Sequence, residues 1–233
     1  MKRVTEPELM RDKKQVKAYV EADFSLTEEN LVEQLSQELR KKEDFCSDSL
    51  IIDLGCGPGN ISEKISSRWK QVRVIGVDDS EEMLKEAIKR SKLGVFNVSS
   101  EKLSYKQENI SSIANGKSTL INCADVVVSN SVFHHIHEPS VFFHALLNIS
   151  KNGALHFHRD LRRPSTYEKA LAIQNKYLKD APSIIRRDFL ASLLAAHTSE
   201  EVNRYFKKFN FNHFSVTEVE DKYIDIIGTI HKP

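Results

Sequence analysis

The amino-acid sequence predicts an α/β fold in which helices cover both faces of a mainly parallel sheet and an antiparallel pair of strands closes it. Three observations support this prediction. Short apolar runs alternate with amphipathic runs, a glycine-rich turn follows the first apolar run, and only three polar residues separate the last two strand-like runs. Alternating strands and helices favour parallel pairing, because a helix then makes each return along the sheet.

The first half of the chain begins with helices and continues with alternating strands and helices. Apolar residues recur at three- and four-residue spacing over residues 6–42, for example at Leu31, Leu35 and Leu39, which predicts helices. The following elements are predicted from apolar runs and capping signals: a buried strand over 50–54, a helix over 60–69, a strand over 72–77 and a helix that opens at the N-cap Ser80.

The second half continues the alternation after a weakly patterned stretch over residues 93–116. Thr198 and Glu201 have the spacing of a capping box, which predicts a helix that continues to about residue 208. The remaining elements are predicted in this order: a strand over 124–129, a helix over 141–149, a strand over 154–157, a helix over 167–178, and strands over 214–219 and 223–230.

Composition limits the kinds of partner. The chain has 233 residues, enough for one sizeable core, and we expect a single domain. Lys and Arg number 34 against 33 Asp and Glu, so the net charge of +1 provides no general attraction to nucleic acid or to a membrane surface. No apolar run approaches the ~20 residues that cross a bilayer. We expect a cytoplasmic monomer or homodimer without nucleic-acid or membrane partners.

A glycine-rich loop follows the first predicted strand and reads Asp53-Leu54-Gly55-Cys56-Gly57-Pro58-Gly59. In a doubly wound sheet the ligand binds at this place, because the carboxyl ends of the strands leave a crevice and glycines allow close approach to the backbone. Asp78 and Asp79 end the second predicted strand, where a carboxylate can accept hydrogen bonds from ribose hydroxyls. Together the two segments predict a nucleoside site, although a tight turn with a capping Asp53 would also explain the loop.

Charge indicates which nucleoside the loop binds. The loop lacks the GxGxxG spacing of dinucleotide sites, and Asp53 would place a negative charge beside a pyrophosphate. S-adenosylmethionine, by contrast, carries an ammonium group and a sulfonium, both of which suit an acidic loop. The sequence therefore favours S-adenosylmethionine as the cofactor.

Three segments in this order resemble the class I S-adenosylmethionine-dependent methyltransferases, in particular the type 11 and type 25 groups: residues 51–60 (IIDLGCGPGN), 76–84 (GVDDSEEML) and 125–139 (DVVVSNSVFHHIHEP). The resemblance implies a Rossmann-like, doubly wound sheet of seven strands. It also implies four regions within one domain: a helical cap over 1–44, a cofactor-binding core over 45–160, a helical acceptor lid over 161–210 and closing strands over 211–233.

The resemblance also implies which residues bind the cofactor. Asp78 would hold the ribose, Met83 would pack on the adenine unless it is ordinary helix core, and Asn109 would replace the acidic residue that the family places at the adenine amino group. Phe24 is a further candidate to face the cofactor. The implied cofactor-binding residues are Tyr19, Asp53, Gly55, Cys56, Gly57, Asp78, Asp79, Met83, Asn109, Ile110, Ser129 and Asn130.

Methyl transfer needs positioning above all, and a base only when the acceptor atom carries a proton. His135 and His134 are predicted to form the pocket wall, and His158 and Asp160 are the nearest candidates for a general base. Each histidine can instead orient a loop or pack under a helix. No metal site is predicted, because no carboxylate or cysteine accompanies the histidines at ligand spacing on one element.

Arg159, Arg162 and Arg163 follow the fifth predicted strand, and such a cluster can bind an anionic acceptor, although a solvated helix start paired with Asp160 and Glu168 is the alternative. The leading hypothesis is a methyltransferase that acts on a small molecule. A non-catalytic S-adenosylmethionine-binding module, a nucleic-acid methyltransferase and a nicotinamide oxidoreductase are the alternatives.

Overall fold

The computed structural model describes residues 1–6, 13–22, 24–93 and 101–232. Seven strands form one sheet: β1 (Leu50–Leu54), β2 (Arg73–Asp78), β3 (Leu103–Gln107), β4 (Ala124–Asn130), β5 (Ser150–Leu161), β6 (Phe214–Val219) and β7 (Tyr223–Ile230). The helices are α1 (Lys13–Glu21), α2 (Ser25–Leu39), α3 (Asn60–Arg68), α4 (Glu81–Leu93), α5 (Ile110–Ala114), α6 (Pro139–Ile149), α7 (Tyr167–Leu178), α8 (Ser183–Ala195) and α9 (Ser199–Phe209). A short 3₁₀ turn spans Phe133–His135.

The strand order in the sheet is β3-β2-β1-β4-β5-β7-β6. The first five strands pair in parallel, whereas β7 pairs antiparallel to both β5 and β6. From β1, the sheet extends through β2 and β3 on one side, and the chain then crosses over to add β4 and β5 on the other side. The carboxyl ends of β1, β2 and β4 therefore border one crevice at this switch point. This is the predicted fold class, and the structure confirms it.

Two hydrophobic clusters hold the helices against the two faces of the sheet. Along β1 the side chains alternate: Ile52 packs in the cluster that includes helix α6, and Ile51 packs in the cluster that includes α2 and α3. Both side chains are fully buried. Because side chains of a strand alternate between faces, a continuous apolar run such as 50–54 requires cover on both sides, which is the reason for the three-layered arrangement.

The structure differs from the sequence prediction mainly at the polar strands. Strand β3 and helix α5 lie within the stretch that showed only a weak pattern, because β3 is an edge strand with exposed and half-buried side chains. Strand β5 is longer than the predicted 154–157, since its polar residues after Phe157 are also buried. The capping box at Thr198 is confirmed. Residues 7–12, which fall within the predicted helical region, lie outside the described residues.

Helix length and polarity also bear on membranes. Within the described residues, the structure contains no helix that is both long and apolar enough to span a bilayer.

Candidate active site

A cavity of about 860 Å³ opens at the carboxyl ends of the parallel strands. Its wall combines the glycine loop, the starts of α4 and α5, the 3₁₀ turn and residues of α1, α2 and α8. This size lies in the range of cavities that bind a small molecule, ~300–1,000 Å³. The cavity is therefore the candidate active site.

The glycine loop presents its backbone to this cavity. Gly55 and Gly57 lie in the wall with φ angles of 74° and 52°, in the left-handed region that favours glycine. The Gly55 amide donates to the Val77 carbonyl at 2.7 Å, and the Gly57 amide donates to the Asp78 carboxylate at 2.8 Å. A Cβ at Gly55 would lie 2.4 Å from the Val132 side chain, whereas a Cβ at Gly57 would enter open space. A ligand can thus approach the loop closely at Gly57.

Asp78 ends β2 and lies in the cavity wall together with Asp79 and Met83. One Asp78 oxygen accepts from the Gly57 amide and the other from the Ser80 amide, each at 2.8 Å. These bonds orient the carboxylate and leave each oxygen a further lone pair for a ribose hydroxyl. Burial raises the pKa of Asp78. Met83 is buried on α4 and still contributes to the wall.

The start of α5 forms the next part of the wall through Asn109 and Ile110. The Asn109 side chain caps the helix by accepting from the Ser111 amide at 2.8 Å. Glu108, which the sequence analysis did not single out, also lies in the wall and forms an ion pair with Lys106 at 2.6 Å. Glu108 thus provides a carboxylate beside Asn109. Because it lies in a weakly patterned stretch, nothing in the sequence except its acidic side chain marked it as a site residue.

Three of the predicted cofactor-binding residues, Asp53, Cys56 and Ser129, lie outside the cavity wall. Asp53 is buried beneath the loop, where its carboxylate accepts from the Ser62 hydroxyl at 2.6 Å and burial raises its pKa to about 7. The Cys56 side chain is also buried, and Ser129 hydrogen-bonds to His158 at 2.8 Å. These side chains support the loop and the strand from within.

The charge and hydrogen-bonding groups around the loop fit a cationic nucleoside. The Asn130 Oδ1 atom is buried in the wall and has no hydrogen-bond partner among the described residues. Glu28 of α2 adds a buried carboxylate that accepts from Asn60 at 2.7 Å, and its charge further raises the pKa of Asp53. An acceptor without a donor, close to several carboxylates, suits an ammonium group or a sulfonium. The residues present therefore fit S-adenosylmethionine.

His134 belongs to a buried pair that holds the 3₁₀ turn. Its Nδ1 atom lies 2.5 Å from one Asp160 oxygen, while the other Asp160 oxygen accepts from the amides of Val132 and Phe133. Burial opposes the ionised forms, but the mutual attraction prevails: it raises the pKa of His134 and lowers the pKa of Asp160. Asp160, a predicted base candidate, lies outside the wall and binds His134 and backbone amides of the turn.

His135 has a partner that the sequence analysis missed. Its Nδ1 atom lies 2.7 Å from the Glu6 Oε2 atom, and both residues line the cavity. Burial raises the pKa of Glu6, but its contacts with His135, His134 and the Ser192 hydroxyl more than offset this effect and lower the pKa. Glu6 lies far from the histidines in sequence and belongs to no motif, so no sequence signal connected the two.

His158, a predicted base candidate, is buried and lies outside the cavity wall. One of its ring nitrogens lies 2.8 Å from the Ser129 hydroxyl and the other 3.0 Å from His156. Burial lowers the pKa of His158 to about 3. A neutral ring with both nitrogens hydrogen-bonded contributes to the core and not to proton transfer.

The three arginines that were expected to bind an acceptor are paired with carboxylates outside the cavity wall. Arg159 forms a two-pronged pair with Asp225 at 2.7 and 2.6 Å. Arg163 binds Glu201 at 2.6 Å, and Arg162 binds Glu218. The predicted substrate-binding side chains of Arg159, Arg162 and Arg163 therefore lie in ion pairs outside the cavity wall.

Glu6, His134 and His135 offer ligand atoms that lie within 4.8 Å of one another. The sequence analysis predicted no metal because no single element carried such a set, and the fold brings Glu6 from elsewhere. Zinc ligands in a tetrahedral site stand about 3.3 Å apart, whereas Glu6 and His135 are separated by 2.7 Å, a hydrogen-bond distance.

We expect the protein to be metal-independent for this reason. Dialysis against EDTA should leave both cofactor affinity and product formation unchanged, as measured by calorimetry and by labelled-methyl incorporation. Loss of either property on chelation, with recovery on adding Zn²⁺ or Mg²⁺, would contradict the interpretation of Glu6 and His135 as a metal-free pair.

The sheet order, the acidic glycine loop and the cavity at the switch point together define the S-adenosylmethionine-dependent methyltransferases. The family model described as "Methyltransferase domain" matches residues 46–212, more than half of the chain. The chain belongs to this family, as its three motifs predicted.

Curated relatives match over short segments. A trans-aconitate 2-methyltransferase of Azoarcus sp. (strain BH72) is 57% identical over 37 residues, which is 16% of this chain and 15% of the relative. Another, of Rhodopseudomonas palustris (strain BisB18), is 38% identical over 86 residues, 37% of this chain and 28% of the relative. The matched segments thus span less than a third of these relatives.

A solved structure shares the fold over nearly the whole chain. The plantazolicin methyltransferase BpumL, in complex with a triazolic desmethylPZN analog and SAH, superposes with a TM-score of 0.72 at 13% identity. The match covers 95% of this chain and 92% of that one.

Proposed function

We propose that the protein transfers the methyl group of S-adenosylmethionine to a small molecule that binds in the same cavity. The observation that carries this proposal is that one cavity wall contains both the Gly57–Asp78 corner and the His135–Glu6 pair. Helix α8 contributes Ile185, which supports the predicted role of the helical segment as a lid over the acceptor. A cavity of about 860 Å³ has room for a nucleoside and a small acceptor.

The cofactor supplies a methyl group already activated by a positive sulfur. The chain's own residues supply position: Asp78 orients the ribose, and Asn130 together with Glu28 provides acceptors for the ammonium group. Holding both reactants at attack distance can account for ~7–11 kcal/mol of the barrier. Most of the catalysis in this proposal is therefore positioning.

His135 is the proposed base when the acceptor atom carries a proton. If Nδ1 donates its hydrogen to Glu6, Nε2 has a lone pair that can take a proton from the acceptor. Glu6 fixes the tautomer and stabilises the charged ring, as an orienting carboxylate does in other His-based sites. The His134–Asp160 pair holds the turn on which His135 lies.

The proposal is tested by offering many acceptors at once. The protein is incubated with methyl-labelled S-adenosylmethionine and a metabolite extract, and the labelled product is identified by mass spectrometry. A thermal-shift comparison of S-adenosylhomocysteine with NAD, run in parallel, reports which nucleoside the native state binds. Stabilisation by S-adenosylhomocysteine with no labelled product in any extract would favour the non-catalytic binding module. Stabilisation by NAD alone would favour the oxidoreductase.

We predict that Asp78→Ala weakens the binding of S-adenosylhomocysteine by about 30- to 150-fold, or about 2–3 kcal/mol, because a charged acceptor of the ribose hydroxyls is lost. Calorimetry measures the dissociation constant. Glu81→Ala is the matched control, since it removes an exposed carboxylate at the start of α4 that lies outside the cavity wall. An unchanged constant in Asp78→Ala would remove Asp78 from the site.

A further inference from the structure

The charge of the cavity wall distinguishes between classes of acceptor. Four wall carboxylates lie on the elements that surround the glycine loop and the adenine position: Glu28, Asp78, Asp79 and Glu108. The rest of the wall adds three more: Glu6, Glu138 and Asp188. Among the residues that the structure describes, none of those in the cavity wall is Lys or Arg. An anionic acceptor would therefore meet these carboxylates with no Lys or Arg of the described residues in the wall itself, although Lys106 and Arg187 pair with Glu108 and Asp188 from outside the wall and His134 lies within it.

Glu6 provides an acceptor inside the cavity that the fold does not satisfy. Its side chain is only 10% exposed, and His135 engages its Oε2 atom. Its Oε1 atom is buried and makes no hydrogen bond of good geometry among the described residues, although the Ser192 hydroxyl lies near the carboxylate and helps to lower its pKa. A buried carboxylate oxygen without a donor is unfavourable unless a ligand supplies one. A protonated amine has the required N–H groups and the opposite charge.

Aromatic rings in the cavity wall are also suited to an organic cation. Tyr19 and Phe24 contact each other with their ring centroids 4.9 Å apart, and both line the cavity. Phe189 and Tyr223 line it as well. Cations bind favourably over aromatic faces, and more so where water is excluded. The cavity wall thus contains both aromatic rings and carboxylates, each of which can attract an ammonium group.

Asp188 adds a second carboxylate to the part of the wall formed by α8. It accepts from the Gln15 side chain at 2.7 Å, which holds it between α1 and α8. Its ion-pair partner Arg187 is 72% exposed and lies outside the wall. Because Arg187 binds the Oδ1 atom from the solvent side, Asp188 adds only a partly compensated negative charge to the wall.

We propose that the acceptor is a primary or secondary amine that enters as an ammonium ion, binds against Glu6 and the aromatic rings, and is methylated on nitrogen. The inference rests on the proposed function. The ammonium group gives one proton to His135 Nε2, and the freed nitrogen lone pair then forms the N–CH₃ bond. The S–CH₃ bond breaks with its electron pair going to sulfur. The products are a methylated ammonium ion, neutral S-adenosylhomocysteine and a proton, which His135 releases to solvent.

The test separates the extract by charge before the reaction. Fractions that bind a cation exchanger, an anion exchanger or neither are each incubated with the full chain and methyl-labelled S-adenosylmethionine. We expect the label to appear in the cation-binding fraction, in a product that resists alkali, because N–CH₃ bonds are stable and methyl esters release methanol. Trans-aconitate, added as a pure anionic probe, should gain no label.

Label in the anion-binding or neutral fraction, label that alkali releases as methanol, or methylation of trans-aconitate would overturn the amine proposal and leave the proposed function intact. Absence of label in every fraction, with S-adenosylhomocysteine still bound, would overturn the proposed function and this inference with it.

A pair of variants tests the role assigned to Glu6. Glu6→Gln should raise the KM for the labelled cationic acceptor at least tenfold while the dissociation constant of S-adenosylhomocysteine stays unchanged. Glu81→Gln removes an exposed carboxylate outside the wall and should change neither quantity. An unchanged KM in Glu6→Gln would overturn the assignment of Glu6 to the ammonium group.

Discussion

His135→Ala is expected to lower kcat for methyl transfer by ~10²- to 10⁴-fold, the range that a positioned general base contributes. The structure gives the reason, since His135 lines the cavity and Glu6 holds its Nδ1 atom at 2.7 Å. Glu6→Gln should lower kcat less than His135→Ala does, because the His135 ring remains and only the charge of Glu6 that orients the ring is lost. The measurement is single-turnover transfer of a labelled methyl group to the acceptor that the extract screen identifies.

The binding of S-adenosylhomocysteine should remain within twofold in His135→Ala, which separates a chemical role from a binding role. His144→Ala is the matched control, because His144 is exposed on α6 and lies outside the cavity wall. The rate of His135→Ala should also depend less on pH than that of the unmodified protein. A variant that retains its rate, or that loses cofactor affinity in parallel, would refute the assignment of a base.

Asp160→Asn is expected to reduce the free energy of unfolding by about 3–5 kcal/mol, the cost of breaking a buried ion pair on one side. The Asp160 carboxylate accepts from the His134 ring and from two backbone amides at the turn. In Asp160→Asn, the NH₂ group of the new side chain would face one of these N–H groups, and both would be donors. The measurement is urea unfolding followed by circular dichroism. Asp221→Asn, which removes a half-exposed partner of Lys176, should cost no more than about 1 kcal/mol.

The effect of Asp160→Asn should depend on pH. Because the pKa of Asp160 is lowered, the stability that Asp160 contributes is fully present above its ordinary pKa near 3.9. That stability is lost as the pH falls through the lowered pKa. Because the pKa of His134 is raised, the stability that His134 contributes is fully present below its ordinary pKa near 6.5. That stability is lost as the pH rises through the raised pKa. The stability difference between the two proteins should therefore be largest from about pH 4 to pH 6.5. A difference that grows above pH 8 would contradict the ion pair.

The cofactor half of the cavity was largely predictable because its signals are local. The Gly55–Gly57 turn, the carboxylate that ends β2 and the N-cap that opens α4 each depend on a few consecutive residues. Strand β3 was missed for the same reason, since an edge strand with little apolar burial has almost no local pattern.

The chemistry of polar side chains in the second half was less predictable. Arg159 appeared available for a substrate, and it instead forms a buried pair with Asp225 on the neighbouring antiparallel strand. His158 appeared suited to proton transfer, and the core neutralises it. Which polar group is buried, paired or exposed depends on the strands beside it.

The sequence by itself determined the sheet, the order of its main elements, the cofactor loop and the family, because periodicity, turn residues and capping groups act over a few neighbouring positions. Only the tertiary structure decided which histidines reach the cavity, that Glu6 is the partner of His135, and that the wall is acidic. These properties depend on contacts between residues remote in the chain, and both burial and charge pairing are set by those contacts.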